Sequence, residues 1–363
     1  MSQTTKHSAK LFDGRDLFYF DDAGSTLPPT RQPDSRPAGE RPAVAQMRLD
    51  SLTGDWISVA AARQNRAFLP PAHQCPLCPS TPENLSEIPD QFDVAVFENK
   101  SPSFGPVLAQ HDDENYAVEP KLALGATRDS IGRCEVVVFS SQHTGSLAEL
   151  PVSRVKTVID AWTDRTEHLM TLPGVRQVFP FENRGQEIGV TLHHPHGQIY
   201  CYPYVTPRTT KLLQSIEKFG PDLFEQTLKF EQSSERVLIA SENFTAYVPF
   251  AARWPIEVHL LPHRHVNDFT QLTDAERAEL ASVYSRMLKA LDALYETPTP
   301  YISAWHQAPR VTGGQNVRLQ LQITSPRRAA DKLKYLAGSE SAMGAFIADL
   351  APEVIAGMIR EVL

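Results

Sequence analysis

The stretch Thr191-Leu192-His193-His194-Pro195-His196-Gly197-Gln198-Ile199-Tyr200 carries imidazoles, an amide and hydroxyls where a core segment would carry aliphatic side chains. Side chains of an extended chain alternate, so Leu192, His194, His196 and Gln198 are expected on one face, converging on one spot. Pro195 suits an irregular strand end, and Gly197 predicts a backbone that a ligand can approach closely. Near neutrality an imidazole is a base, a metal ligand or a nucleophile. Attack on phosphorus suits it well, because the neutral ring is available and the phosphoramidate formed is labile enough to pass its group on. Gln198 could then steady the nucleophile or bind a nonbridging oxygen. The plainer alternative is a hydrogen-bonded packing pair at a strand end.

Other residues could join such a centre. Arg63 and Arg66 are either solvated surface charges or forks for phosphate oxygens. Cys75-Pro76-Leu77-Cys78 has the gap that lets two thiolates share one tetrahedral metal, and it equally fits a redox pair or two unrelated thiols. Asn99, after the apolar run Val94 to Phe97, is either a turn former or a hydrogen-bonding group for a base or ribose. Cys134 reads as a small core residue.

Composition narrows the class. A chain of 363 residues has room for two domains or one large one, and 35 Lys and Arg against 43 Asp and Glu leave a charge of -8. That balance offers no general attraction to nucleic acid or to an anionic membrane. No stretch approaches the roughly 20 apolar residues of a membrane span, and the polar start, Met1 to Lys10, lacks a signal-peptide core. Four cysteines do not make a disulfide scaffold, so a cytoplasmic location is expected.

The elements that must position these residues can be read in order. Residues 1–45, with prolines among serines and charges, are expected to be a tail holding a possible short strand at Leu17 to Phe20. A hairpin is expected around Thr53-Gly54, a buried strand over Cys134 to Phe139, a helix from Pro151 to Leu172, and a strand from Val175 to Phe181. Glu182 to Gly189 reads as a polar turn. A second helix, Thr273 to Tyr295, opens on the capping box Thr273 and Glu276. The halves repeat: with Glu135 laid on Glu257, His143 falls on His265 and Leu150 on Leu272. Gln320 and Gln322 then stand where paired histidines would be expected, so the chemistry is assigned to one copy. The expected fold is α+β, two tandem halves, each a mainly antiparallel sheet with packed helices, spanning 46–215 and 216–363.

Phe181-Glu182-Asn183-Arg184-Gly185 followed by His194-Pro195-His196-Gly197-Gln198-Ile199 resembles the signature of the galactose-1-phosphate uridylyltransferases, in the histidine-triad-like superfamily. The likeness runs from about residue 46 to 350. It includes Leu52 to Trp56, the cysteine pair, Leu261 to Val266 and Tyr335 to Glu340. It implies that His196 is the nucleophile that becomes uridylylated and that Gln198 contacts the α-phosphate. Arg63 and Arg66 would bind phosphate; Asn99, Glu182 and Asn183 would line the nucleotide site; Thr191 would hold the distal phosphate. Lys334 and Glu340 would touch the sugar. Cys75, Cys78, His143 and His194 would hold a structural zinc. The implied reaction carries a uridylyl group from UDP-glucose to galactose 1-phosphate by double displacement, and the implied assembly is a homodimer.

Some positions depart from the family pattern. His306 matches one ligand of a second metal found in some members, but Gln320 and Gln322 replace two others and no carboxylate lies between Ile199 and Ser215, so no second metal is expected. Lys100 stands where some members have aspartate, and Ser339 and Phe346 replace the tyrosine and glutamine of some sugar sites. An ADP-sugar phosphorylase or related nucleotidyltransferase, and a nucleotide-binding protein without catalysis, remain the alternative readings.

Overall fold

The computed structural model describes residues 3–37, 39, 41, 43–65, 68–108 and 123–363. The first half contributes β1 (Thr5–Lys10), β2 (Asp16–Asp21), β3 (Gln46–Leu49), β4 (Trp56–Val59), β5 (Val94–Glu98), β6 (Thr127–Asp129) and β7 (Arg133–Val138). Then come α1 (Val152–Met170), β8 (Gln177–Arg184) and β9 (His196–Tyr202). The second half contributes α2 (Pro207–Phe219), α3 (Leu223–Gln232), β10 (Val237–Ala240), β11 (Phe244–Tyr247), β12 (Ile256–Pro262), α4 (Asp274–Ala293), β13 (Tyr301–His306), β14 (Gln320–Ser325) and α5 (Pro352–Glu361). Among the described residues, an 11-stranded sheet runs β1-β2-β5-β7-β9-β8-β13-β14-β12-β11-β10, and β4, β3 and β6 form a small sheet beside it.

Every pairing in the large sheet is antiparallel. The order β5-β7-β9-β8 in the first half is matched by β11-β12-β14-β13 in the second, and the copies meet where β8 pairs with β13. The fold is thus α+β as expected, with the two half-sheets fused into one. Both long helices cover one face. Val155, Ile159 and Trp162 of α1 and Leu280, Tyr284 and Met287 of α4 pack with Val137, Val258 and Ile323 of the sheet. Trp162 lies within 6.5 Å, ring to ring, of Phe139, Phe269, Tyr284 and Trp305, so the two halves share one aromatic core. Glu135 points into the same face. Burial pushes its carboxyl up, but Arg165 at 2.8 and 3.0 Å and then Arg133 hold it below its ordinary range.

α4 starts on the capping box Thr273 and Glu276, and α1 follows Pro151 directly. Three expectations change. The segment read as a tail with a possible short strand at Leu17 to Phe20 forms that strand as β2 and adds β1, and both join the sheet edge because Leu17 and Phe97, and Phe18 and Val96, pair across β2 and β5. The polar run Glu182-Asn183-Arg184 is strand, held extended by pairing with Ser303, Ile302 and Tyr301. The repeat is displaced by one residue: Glu135 faces α1, whereas Glu257 faces away from the helices, toward His259 and Gln322. Register puts Val136 opposite Phe97 and Gln198, as His259 is opposite Tyr247 and Gln322.

The same alternation sets one expected site residue apart from the others. Phe181 and Asn183 face away from the helices, so Glu182 between them points into the buried seam. There the Tyr301 hydroxyl donates to its Oε2 at 3.0 Å, and Tyr284 lies nearby. Burial pushes this carboxyl up to about 7, against the opposing pull of Arg184 and the Tyr301 hydrogen bond. A carboxyl with a raised folded pKa is stabilised in its neutral form, so stability is lost as pH climbs from the ordinary 4.5 to about 7. Replacing it by the neutral isostere removes that loss. Glu182→Gln is therefore expected to raise stability at pH 8, by on the order of 3 kcal/mol at most, and so to raise the melting temperature there while changing it little at pH 4.5. Thermal melts at the two pH values check the sign.

Candidate active site

β9 begins at His196, one residue after Pro195, and presents His196, Gln198 and Tyr200 on the face away from α1. Gly197 takes the opposite face for a reason other than ligand approach. A Cβ there would come within 2.8 Å of the Phe181 carbonyl and 2.9 Å of the Phe139 ring. Pro195 bends the chain so that the His194 carbonyl lies 2.7 Å from His196 Nδ1. A carbonyl only accepts, so Nδ1 carries the proton and Nε2 keeps its lone pair. Burial holds His196 below its usual pKa, against the His194 carbonyl, and so keeps the ring neutral.

That lone pair faces a cavity of about 470 Å³. Arg63, Asn99, Asn183, Thr191, His196 and Gln198 all line it, so six of the expected site residues are brought together. Asn99 closes β5: its side-chain oxygen accepts from Ser101 N at 2.9 Å, leaving its amide nitrogen for a ligand. Asn183 enters from β8 as the neighbour of Phe181. Arg63, from the short 3-10 turn Ala61–Asn65, lies 3.4 Å from the Tyr200 hydroxyl. Lys100, a departure from the family pattern, also lines the cavity, as do Ser101, Glu87 and Tyr200, which were given no role from the sequence. Tyr200 was within reach of the same period-two rule, being two residues beyond Gln198.

Glu87 brings a carboxylate to this basic wall, and the amino-terminal segment ties it into a network of ion pairs. Arg15 bonds it at 2.5 Å and Arg36 at 2.8 Å, while Asp13 and Asp34 hold the two arginines in turn. The net field at the cavity therefore stays positive from Arg63 and Lys100, which suits a diphosphate. Three expected residues lie elsewhere or outside description. Arg66 falls outside the described residues. Lys334 and Glu340 pair with each other at 3.5 Å on an exposed arm beside Arg253 and do not line the cavity. Their spacing along the chain carried no information about that distance.

His194 is turned the other way. Its Nε2 donates to the Ser140 carbonyl at 2.7 Å, so its Nδ1 lone pair points at Cys75 Sγ, 3.7 Å, and Cys78 Sγ, 3.5 Å. His143 Nδ1 lies 3.5 Å from Cys78 Sγ. The four ligand atoms lie within 4.8 Å of one another, so the donor set fits one metal ion, with a carbonyl fixing the tautomer of one histidine from behind. Burial keeps His194 neutral, at about 4, as a metal ligand requires, although the Ser140 carbonyl opposes the shift.

Comparison with known proteins matches the chain in two parts. The family described as galactose-1-phosphate uridyl transferase, N-terminal domain, matches residues 37–206, and its C-terminal domain matches residues 208–360. Galactose-1-phosphate uridylyltransferase of Streptomyces lividans is 44% identical over 312 residues, 84% of this chain and 81% of that protein. That of Thermotoga maritima is 32% identical over 88% of this chain and 98% of its own. A solved uridylyltransferase structure, 32% identical, superposes with a TM-score of 0.74 over 87% of this chain and 98% of that one.

A four-donor cluster tying a loop to the active strand should contribute folding energy. Elemental analysis of the purified protein is expected to find one metal ion per chain and, in Cys78→Ala, none. The melting temperature of the variant should fall by about 10 °C or more.

Proposed function

The chain belongs to the galactose-1-phosphate uridylyltransferase family, and on that premise we propose that it transfers a uridylyl group from UDP-glucose to galactose 1-phosphate through His196. The observation that carries this reading is the 2.7 Å bond between His196 Nδ1 and the His194 carbonyl, which leaves Nε2 unprotonated against a cavity lined by Arg63, Asn183 and Gln198. Nε2 attacks the α-phosphorus of UDP-glucose; a phosphorus–nitrogen bond forms as the phosphorus–oxygen bond breaks, and glucose 1-phosphate leaves. The substituted ring keeps its Nδ1 proton and becomes cationic, so the carbonyl that set the tautomer also stabilises the intermediate. A phosphate oxygen of galactose 1-phosphate then attacks the same phosphorus, giving UDP-galactose and free His196.

The other residues act by position and charge. Gln198 contacts the α-phosphate, Arg63 and Thr191 balance the remaining phosphate charge, and Asn99 and Asn183 hold the nucleoside. Glu182 has no part in binding in this reading. The metal is zinc, since two thiolates and two imidazoles make a closed four-ligand set that leaves no position for substrate. The four cysteines are free thiols, which suits a reducing cytoplasm.

We infer a homodimer from the placement of Lys334 and Glu340. They sit on an arm that exposes Tyr335, Met343 and Ile347, and a second copy would let that arm reach its neighbour's cavity with the sugar contacts.

Two measurements test this. With UDP-glucose and no acceptor, the wild-type enzyme should release about one glucose 1-phosphate per chain and gain the mass of one uridylyl group. His196→Ala should do neither and lose turnover by about 10³-fold or more; retained transferase activity would sink the nucleophile assignment. Mixing inactive His196→Ala with inactive Glu340→Gln should restore about a quarter of wild-type activity, because mixed dimers carry one intact site. No recovery on mixing would place Glu340 in its own chain's site.

A further inference from the structure

The internal repeat leaves a second cavity, of about 400 Å³, between β11, β12 and β14 on one side and α2 and α3 on the other. We propose that this cavity binds a nucleoside monophosphate without reacting with it, as a second site distinct from the His196 cavity and independent of the transfer reaction.

Register places it where the first cavity would fall in the other half. Phe97, Val136, Gln198 and Phe181 lie side by side across four strands of the first half. Tyr247, His259, Gln322 and Ala304 lie side by side across the matching strands of the second. Gln320, two residues before Gln322, holds the place of His196, two residues before Gln198. An amide has no nucleophilic lone pair of the imidazole kind, so a bound phosphate ester would stay intact.

Charge points to the ligand class. Arg208, in the first turn of α2, and Arg253 both line the cavity. Neither guanidinium has an ion pair or hydrogen bond with a described residue, while Phe346 lies 5.2 Å from that of Arg253. The carboxylates there are already satisfied. Glu257 accepts from His259 at 2.9 Å, from Gln322 at 2.7 Å and from the backbone of Arg253 at 2.7 Å. Glu231 accepts from Arg236 at 2.6 Å and from Phe250 N at 2.9 Å. Glu257 stays ionised and its charge acts on Arg208, so the two guanidiniums together leave one positive charge uncompensated in the cavity, which suits a phosphate. The remaining wall carries Phe224, Tyr247 and Phe250, an apolar aromatic surface that an inorganic anion would waste and a planar base would cover. The volume suits a mononucleotide rather than a macromolecule.

Equilibrium dialysis of the full-length protein with radiolabelled UMP, and separately AMP, tests this. The expected result is two sites per chain for at least one nucleotide in the wild type. Arg208→Ala should weaken one of the two about tenfold, and Thr227→Trp, which fills the cavity from α3, should abolish it. Neither variant should alter the transfer rate, and that unchanged rate reports that both are folded. A single site per chain for both nucleotides would overturn the proposal, as would a second site untouched by either variant. Inorganic phosphate displacing the nucleotide from the second site with equal affinity would overturn the assignment to a nucleotide.

Discussion

The chemistry of this protein hangs on one backbone carbonyl. The oxygen of His194 accepts from Nδ1 of His196, and in doing so decides which ring nitrogen is free. An imidazole in solution divides its proton between two nitrogens, and a ring free to rotate presents the wrong one part of the time. Fixing it requires an acceptor that is itself immobile. His194 supplies this because its own ring is held twice, by the Ser140 carbonyl on one side and by the thiols of Cys75 and Cys78 on the other. A metal held by this cluster would therefore act on the His196 ring at second hand. It would pin the residue whose backbone orients the His196 ring, and it need not touch a bound ligand to matter.

Pinning of that kind is useful only on a rigid base, and the sheet provides it. His196 sits on β9 between β7 and β8, in the interior of a continuous antiparallel sheet, with the α1 and α4 core behind it. The buried Glu135 pairs with Arg165 of α1 and Arg133 of its own strand, so the strand next to β9 is anchored to the helix layer by charge as well as by packing. Breaking one partner of such a buried pair leaves an uncompensated charge, which costs far more than the intact pair contributes. In front, the amino-terminal strands add a second set of ion pairs through Arg15 and Arg36, which quiet the carboxylate of Glu87 within an otherwise cationic cavity.

Much of the site was legible in the sequence because it lies on one strand. Alternation alone places His196 and Gln198 together, and resemblance adds Asn99, Asn183, Thr191 and Arg63, which the fold brings to the same cavity. The failures have physical causes. Glu182 is adjacent to Asn183 in sequence, but a strand sends neighbours to opposite faces, and a motif read as a polar turn hid that parity. The repeat alignment slipped by one residue for the same reason: matching two glutamates by type put a helix-facing side chain on an outward-facing one. Within the segment read as tail, β1 was missed because its sequence is polar and charged and its partner is β2, whereas the pairing of β2 with β5 is long-range and leaves no local mark. Helices α2 and α3 drew no reading at all, although Pro207 stands at the start of the first.

The duplication bears on why the proposed reaction is assigned to a single histidine. Both halves present the same row of side chains from the same strand order, so backbone geometry alone would permit two active centres. What differs is the approach to the row. In the first half Pro195 breaks the chain ahead of β9, and the carbonyl two residues before His196 turns back onto its ring. In the second, Leu319 is buried and its amide bonds to Val266, so the chain enters β14 without that break, and the Gln320 amide donates instead to His259. The loop that brings the cysteines is likewise replaced by α2 and α3, whose Ile216, Phe224 and Leu228 pack over Tyr247 and Leu261. A cavity survives under both covers, but only the first cover delivers a fixed ligand cluster, and only there is the tautomer of the facing residue set by its own backbone. The two halves thus differ in the cover and in the proline. The other half is left with a pocket whose amides, aromatic rings and unpaired guanidiniums are suited to holding a ligand rather than attacking one.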